Sequence, residues 1–143
     1  MVIMKSIILD ASVFTAWFLD ETNTTKAINL QDNYKFHTPE IILFEVSNAL
    51  WKAKKRKQIK NDEAKILLNA LHDIDTITYH SSRRYIKKAY AITEEINHDY
   101  IYDCIYLALS IDLNIPLVTA DHRFVKKLAK TRYKKNILKL DEA

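Results

Sequence analysis

The sequence predicts an α/β domain with a central, mainly parallel sheet and helices on both of its faces. Short apolar runs rich in β-branched residues alternate with longer stretches of helical periodicity, which is typical of strands covered on both sides. The 143 residues suit one domain, and a hydrophobic fraction of 48% is sufficient for a buried core. Because no repeat or linker interrupts the chain, we expect a single domain over residues 1–143.

Local signals predict the individual elements in order. The run before Asp10 is short and apolar, as expected of a buried strand. Thr38 and Pro39 predict the start of a long helix, because a hydroxyl residue suits the N-cap and proline suits the first helical position. The predicted strands cover residues 7–9, 74–79, 115–119 and 137–140. The predicted helices cover residues 13–18, 39–57, 61–71, 82–96 and 103–113, followed by a short basic helix before the last strand.

Composition excludes several kinds of site. The chain contains no glycine, which rules out the glycine-rich phosphate loops of nucleotide-binding and dinucleotide-binding proteins. Its single cysteine, Cys104, can form neither an internal disulfide nor a thiolate metal site. No apolar run reaches 18 residues, and the first ten residues acquire an acid too soon for a signal peptide. We therefore expect a cytoplasmic protein without a membrane segment.

Four acidic residues stand where a solvated acid is not expected. Asp10 and Asp121 follow predicted strands, and the carboxyl ends of parallel strands meet at one edge of a sheet. Glu45 and Asp103 lie in helical segments that are apolar on nearly every side. A carboxylate buried alone is costly, so a cation in a shared site would explain all four. Oxygen donors without histidine or cysteine favour Mg²⁺ or Mn²⁺, and without metal their repulsion is expected to raise at least one carboxyl pKa.

A plainer explanation exists for three of these acids. Asp10, Asp103 and Asp121 could each cap a helix, because an acid at a helix N-terminus is stabilising. Glu45 resists this explanation, since the only basic residue within helical reach is Lys52, two turns away. The coincidence of four such positions in one short chain favours a common acidic site over independent caps.

Four motifs carry a resemblance to a known family. They are DASV at 10–13, EVSNAL at 45–50, YDCIYLAL at 102–109 and LVTAD at 117–121. In this order and spacing, the sequence resembles a PIN domain and, more narrowly, the VapC ribonuclease toxins of type II toxin–antitoxin systems. The resemblance implies a metal-binding quartet, two supporting hydroxyl residues and an asparagine near the metal. The metal-binding residues would be Asp10, Glu45, Asp103 and Asp121. The supporting hydroxyl residues would be Ser12 and Thr119, and the asparagine near the metal would be Asn48.

The sequence departs from the family pattern at two turns. Residues 56–58 and Asn114 stand where the family commonly has glycine. Asparagine tolerates the left-handed conformation at the end of a helix, so Asn114 is a suitable replacement. These changes affect turn geometry and leave the four acids unchanged.

The function that the resemblance implies is a Mg²⁺- or Mn²⁺-dependent endoribonuclease in which water attacks the phosphodiester. It further implies a homodimer or higher homo-oligomer and a VapB-like antitoxin that binds at the acidic groove. An alternative is a catalytically silent RNA-binding or interaction module on the same fold. A phosphatase of the haloacid type is disfavoured, because position 12 is serine where such enzymes carry a second aspartate.

Two clusters of basic residues are candidates for RNA contacts. The net charge is +4, with six basic residues between Lys52 and Lys60 and six between Lys126 and Lys135. The first cluster fits either a phosphate-binding surface or the solvated end of a helix. Of the five histidines, only His122 is expected near the acids, at the surface, and none has the spacing of metal ligands. The candidate RNA-binding residues are Lys52, Lys54, Lys126 and Lys127.

Overall fold

A parallel sheet forms the centre of the protein. The structure, a computed structural model, describes residues 3–143. The strands in this range are β1 (Lys5–Leu9), β2 (Tyr34–Pro39), β3 (Ile77–His80), β4 (Leu117–Thr119) and β5 (Ile137–Lys139). They lie in the order β3-β2-β1-β4-β5, and every pairing between neighbours is parallel. The predicted α/β class with a parallel central sheet is confirmed.

Helices cover the sheet on both sides. Ile7, Ile8 and Leu9 of β1 are completely buried, and because neighbouring side chains of a strand point to opposite faces, both faces must be covered. Between residues 3 and 143, no helix combines the length and the apolar character that crossing a membrane requires. The helices are α1 (Ala11–Phe18), α2 (Thr24–Asn29), α3 (Ile41–Lys55), α4 (Asn61–Asp73), α5 (Ile86–Ile96), α6 (Tyr102–Leu113) and α7 (His122–Leu128).

Helix α6 runs through the core. Its residues 104–110 are all buried, which explains why the sequence of this helix is apolar on every side. It contacts β1, β2 and β4, and the Ser110 hydroxyl is satisfied by donating to the Ile115 carbonyl. Asp103 lies in the first turn of this helix. The packing of α6 against the central strands therefore sets the position of Asp103.

The predicted helix start at Thr38 and Pro39 is wrong. Both residues belong to β2, which pairs with β1 and β3, and α3 begins at Ile41. The Thr38 hydroxyl donates to the Leu9 carbonyl over 2.8 Å instead of capping a helix. Strand pairing outweighs the local cap signal because it buries Phe36 and Thr38 against the core.

Other boundaries also differ from the sequence predictions. Strand β2 and helix α2 have no predicted counterpart, β3 begins at Ile77 rather than at residue 74, and residues 83–85 form a 3₁₀ turn before α5. Asn114 ends α6 in the left-handed conformation with φ 52°, as expected. Lys57 has φ 59° in the turn after α3, where the resembled family commonly has glycine. The chain thus keeps this turn although a β-carbon makes the conformation less favourable, by about 1 kcal/mol.

Candidate active site

Asp10 connects the end of β1 to the start of α1. Its Oδ1 accepts hydrogen bonds from the Val13 amide over 3.0 Å and from the Ser12 hydroxyl over 2.6 Å, and the residue is 8% exposed. The side chain therefore caps α1, as the plainer interpretation predicted. Capping is not the only interaction of this carboxyl, because it also interacts with the Thr119 hydroxyl and with the charge of Asp103.

The hydroxyls of Ser12 and Thr119 join the two strand ends that carry Asp10 and Asp121. Ser12 Oγ accepts from the Ala120 amide over 3.0 Å and lies 3.4 Å from Thr119 Oγ1. Thr119 Oγ1 accepts from the Asp121 amide over 3.0 Å. Asp121 caps α7, its Oδ1 accepting from two amides of the first turn. Because β1 and β4 are paired neighbours, these contacts bring the two strand-end acids to one edge of the sheet.

Glu45 approaches the other acids from α3. The Tyr106 hydroxyl donates to Glu45 Oε1 over 2.6 Å, and Tyr106 is 1% exposed. This bond links α3 to α6 and gives the partly buried carboxylate a neutral donor. Sequence reasoning did not connect Tyr106 with Glu45, because 61 residues separate the pair and only helix packing joins them.

Asp103 is hydrogen-bonded to His98. Its Oδ2 lies 2.8 Å from His98 Nε2, and the histidine side chain is 12% exposed. The prediction that only His122 lies near the acids is wrong, because the loop between α5 and α6 brings His98 to Asp103. Asp103 is also no simple cap, since its carboxylate bonds this side chain and not the amides of α6. No sequence signal could have identified His98, because a five-residue spacing across a loop has no periodic meaning.

The pKa of Asp10 is raised to about 7. Burial is the main cause, because it disfavours the charged form. The hydroxyls of Ser12 and Thr119 lower the pKa, and the nearby charge of Asp103 raises it. The direction agrees with the sequence expectation for clustered acids, but burial contributes more than repulsion.

Asp103 is the electrostatic centre of the four acids. Burial is the largest cause of the raised pKa values of Glu45 and Asp103, and in each the hydrogen-bond donor acts in the opposite direction. The charge of Asp103 further raises the pKa values of Asp10 and Glu45, and the charge of Asp121 raises that of Asp103. These pairwise interactions connect all four acids that the sequence singled out. The fold therefore brings them into one neighbourhood.

The donor set fits a hard divalent cation. Hydrogen bonds from residues 3–143 reach Oε1 of Glu45, Oδ2 of Asp103 and Oδ1 of Asp121, so the second oxygen of each is open to an ion. Mg²⁺ and Mn²⁺ prefer such oxygen ligands. Across the described residues, no three His, Cys, Asp or Glu side chains are close enough to hold an ion by themselves.

An open depression of about 390 Å³ lies beside Glu45. Ser12 and Ala120 line it, and so does Glu21, a further carboxylate that sequence reasoning did not single out. Burial raises the pKa of Glu21. Asn48 follows Glu45 by three residues on α3, where it is exposed, and it does not line this depression.

The candidate lysines lie on two different helices. Lys52 and Lys54 are in the last turn of α3, where Lys54 Nζ packs over the Trp51 ring at 5.7 Å from its centre. Lys126 and Lys127 are exposed on α7, the helix that Asp121 caps. Lys126 and Lys127 therefore lie on the same short helix whose N-terminus Asp121 caps.

Comparison with known proteins identifies the family. The pattern of the PIN domain matches residues 7–130. Ribonuclease VapC3 of Pyrobaculum aerophilum is 28% identical over 124 residues, which cover 85% of this chain and 93% of that protein. The crystal structure of PAE2754 from Pyrobaculum aerophilum shares the fold with a TM-score of 0.66 at 18% identity, covering 96% of this chain and 90% of that one.

A second solved structure has the same fold. It is a toxin–antitoxin complex from Klebsiella pneumoniae, with a TM-score of 0.62 at 17% identity, covering 96% of this chain and 99% of the matched chain. The resemblance that the four motifs carry is thus confirmed at the level of both sequence and fold. Because the match extends over residues 7–130, the chain belongs to the PIN-domain family.

Proposed function

We propose that this chain is a Mg²⁺- or Mn²⁺-dependent endoribonuclease and the toxin of a VapBC-type toxin–antitoxin pair. The observation that carries the proposal is the hydrogen bonding around the four acids: Ser12 and Thr119 join the strand ends of Asp10 and Asp121, and Glu45 bonds Tyr106 of α6, the helix that begins beside Asp103. The similarity to a protein named Ribonuclease VapC3 over 93% of its length supports RNA as the substrate.

The chemistry follows from charge. A phosphodiester and an attacking hydroxide are both anionic, so a pocket of carboxylates alone repels them. A divalent cation bound there supplies the positive charge that activates water and stabilises the phosphoryl and leaving oxygens. Asp10, Asp103 and Asp121 would hold the ion, directly or through water.

Glu45 is assigned to the attacking water. Tyr106 occupies Oε1, which leaves Oε2 as the oxygen that can accept a proton from water. Burial raises the pKa of this carboxyl above its ordinary value, which makes the carboxylate a stronger base. The residue thus has both an anchored orientation and a suitable affinity for the proton.

The proposed partners follow from charge and from the relatives. Lys126 and Lys127 on α7 are assigned to substrate phosphates, with Lys52 and Lys54 as the second candidate pair. The similarity to a chain in a toxin–antitoxin complex supports an antitoxin partner. A guanidinium or ammonium group of that partner could take the place of the cation beside the acids. A homodimer remains the expectation from the resemblance.

The test is RNA cleavage by the purified chain in Mg²⁺, in Mn²⁺ and in EDTA, on a panel that includes ribosomal and transfer RNA. Asp10→Asn is the inactive variant, and Asp75→Asn, in the exposed loop before β3, is the matched control. Cleavage by the wild type and by Asp75→Asn that needs metal and Asp10 is the expected result. Absence of both Mn²⁺ binding and RNA cleavage would favour the silent module instead. Cleavage that persists in EDTA would refute the metal-dependent mechanism.

A further inference from the structure

We propose that His98 is a positioning residue for Asp103, holding this carboxylate in a fixed orientation toward the other acids. The inference rests on the proposed function, in which Asp103 helps to hold the cation. It is carried by the 2.8 Å contact between His98 Nε2 and Asp103 Oδ2 and by the small exposed fraction, 12%, of the histidine side chain.

The end of α5 directs His98 to this contact. Asn97 terminates the helix in the left-handed conformation with φ 52°. The His98 amide then donates to the Thr93 carbonyl over 3.0 Å, and the Asn97 amide donates to that of Glu94 over 3.2 Å. These two bonds are the usual way in which a left-handed residue closes a helix end. The backbone at His98 is therefore fixed by its own helix before the side chain meets Asp103.

The His98 ring has a second fixed contact on α7. Its centre lies 5.1 Å from that of the Phe124 ring, which is 2% exposed. The Phe124 amide in turn donates to Asp121 Oδ1 over 3.2 Å. His98 thus bonds one of the four acids and packs against the residue whose amide holds another. Loss of the ring is expected to loosen the position of Asp103 relative to Asp121.

The hydrogen bond defines which atom of His98 is used. When Asp103 is ionised, its carboxylate is only an acceptor, so His98 then donates from Nε2, for which a neutral ring with its proton on that nitrogen is sufficient. The bond occupies Oδ2 and leaves Oδ1 of Asp103 as the oxygen open to a cation. Residues that orient a metal-binding side chain in this manner commonly change metal affinity by 10–100-fold when removed.

Two substitutions distinguish the role of His98 as a hydrogen-bond donor from the role of its ring volume in packing. His98→Gln keeps an amide N–H near the position of Nε2, whereas His98→Leu keeps apolar bulk without a donor. His72→Gln, at an exposed histidine of α4, is the matched control. The readouts are the Mn²⁺ dissociation constant by calorimetry, the midpoint of thermal unfolding and the RNA cleavage rate.

We expect His98→Leu to bind Mn²⁺ about tenfold more weakly than the wild type, with a matching loss of cleavage. His98→Gln should stay within about threefold of the wild type, and His72→Gln should be unchanged. Wild-type affinity in His98→Leu would overturn the proposal, and so would equal weakening in His98→Gln and His98→Leu when both are folded. If His98→Leu does not fold, His98→Asn replaces it, because its amide is too short to reach Asp103.

A metal-free readout separates this inference from the proposed function. In EDTA at pH 8, nitrogen-15 NMR of the imidazole should detect a proton on Nε2 of His98, and Asp103→Asn should shift that signal. A ring protonated on Nδ1, or a signal that Asp103→Asn leaves unmoved, would overturn the positioning role. If the wild type bound no Mn²⁺ while the NMR result held, the proposed function would fail and the His98–Asp103 bond would stand.

Discussion

The Tyr106 phenol donates a 2.6 Å hydrogen bond to Oε1 of Glu45 and so joins helix α6 to helix α3 within the acidic site. Burial, with the nearby charge of Glu45, raises the pKa of Tyr106 well above its ordinary value. The phenol therefore remains protonated at neutral pH and acts as a donor there. Glu45 is held by a group that does not titrate with it.

Tyr106→Phe tests the importance of this bond. The substitution removes the donor that anchors Oε1 of Glu45, so we expect the carboxylate to lose its fixed orientation toward water and the cleavage rate near neutral pH to fall about tenfold. The free energy of unfolding should fall by about 1 kcal/mol, the usual contribution of one hydrogen bond. Tyr133→Phe is the matched control, because the Tyr133 hydroxyl donates to Glu95, which is not one of the four acids of the candidate site. An equal loss of rate in both variants would contradict a specific role for Tyr106.

Asp10→Asn is expected to stabilise the metal-free protein above neutral pH. The ordinary pKa of 3.8 is raised to about 7 in the folded state, so between these values the unfolded chain loses its proton first and stability falls as pH rises. Above about pH 7 the loss is complete and amounts to several kcal/mol. Asparagine keeps the acceptor for the Val13 amide but carries no charge. Urea unfolding in EDTA at pH 5 and pH 8 measures the difference, and a variant less stable than the wild type at pH 8 would contradict the prediction.

The paired histidines of β2 and β3 should make stability depend on pH. His37 Nδ1 lies 2.9 Å from His80 Nε2. Burial is the main cause that lowers the pKa values of both histidines. The charge of His80 further lowers the pKa of His37, and the charge of Arg84 lowers that of His80, whereas Asp112 raises it. A lowered pKa favours the neutral form, so this stability is present above the ordinary value near 6.5 and is lost as pH falls through the lower folded values. His37→Gln should flatten the decline in unfolding free energy between pH 7 and pH 5. Parallel pH profiles for variant and wild type would refute it.

The two candidate lysine pairs can be distinguished by salt dependence. Lys126→Ala combined with Lys127→Ala should raise KM for RNA about fivefold with little change in kcat. It should also reduce the slope of affinity against salt by about 0.7 for each lost phosphate contact. The double variant of Lys87 and Lys88 on α5 has the same charge change outside both basic clusters and serves as control. A loss of affinity confined to Lys52→Ala and Lys54→Ala would assign the phosphate contacts to α3 instead.

Local signals were sufficient to predict several helices and to single out the four acids as candidates. Helix α4 begins at Asn61 as predicted, and α6 begins at Tyr102, one residue before the predicted start. Helix periodicity and start signals are contained within a few neighbouring residues, so they can be read without the fold. Asp10 and Asp121 were singled out because each follows a predicted strand, and strands that pair in parallel end at one edge of the sheet.

The sequence by itself determined the α/β class and the order of most elements, and it predicted the four acids as candidates for one site. Only the tertiary structure decided that Thr38 and Pro39 belong to a strand, that His98 meets Asp103 and that Tyr106 holds Glu45. Each of these contacts joins different elements, and its free energy comes from packing around a shared core. A local pattern has no access to that packing, because the distance between two elements depends on the whole sheet and the helices that cover it.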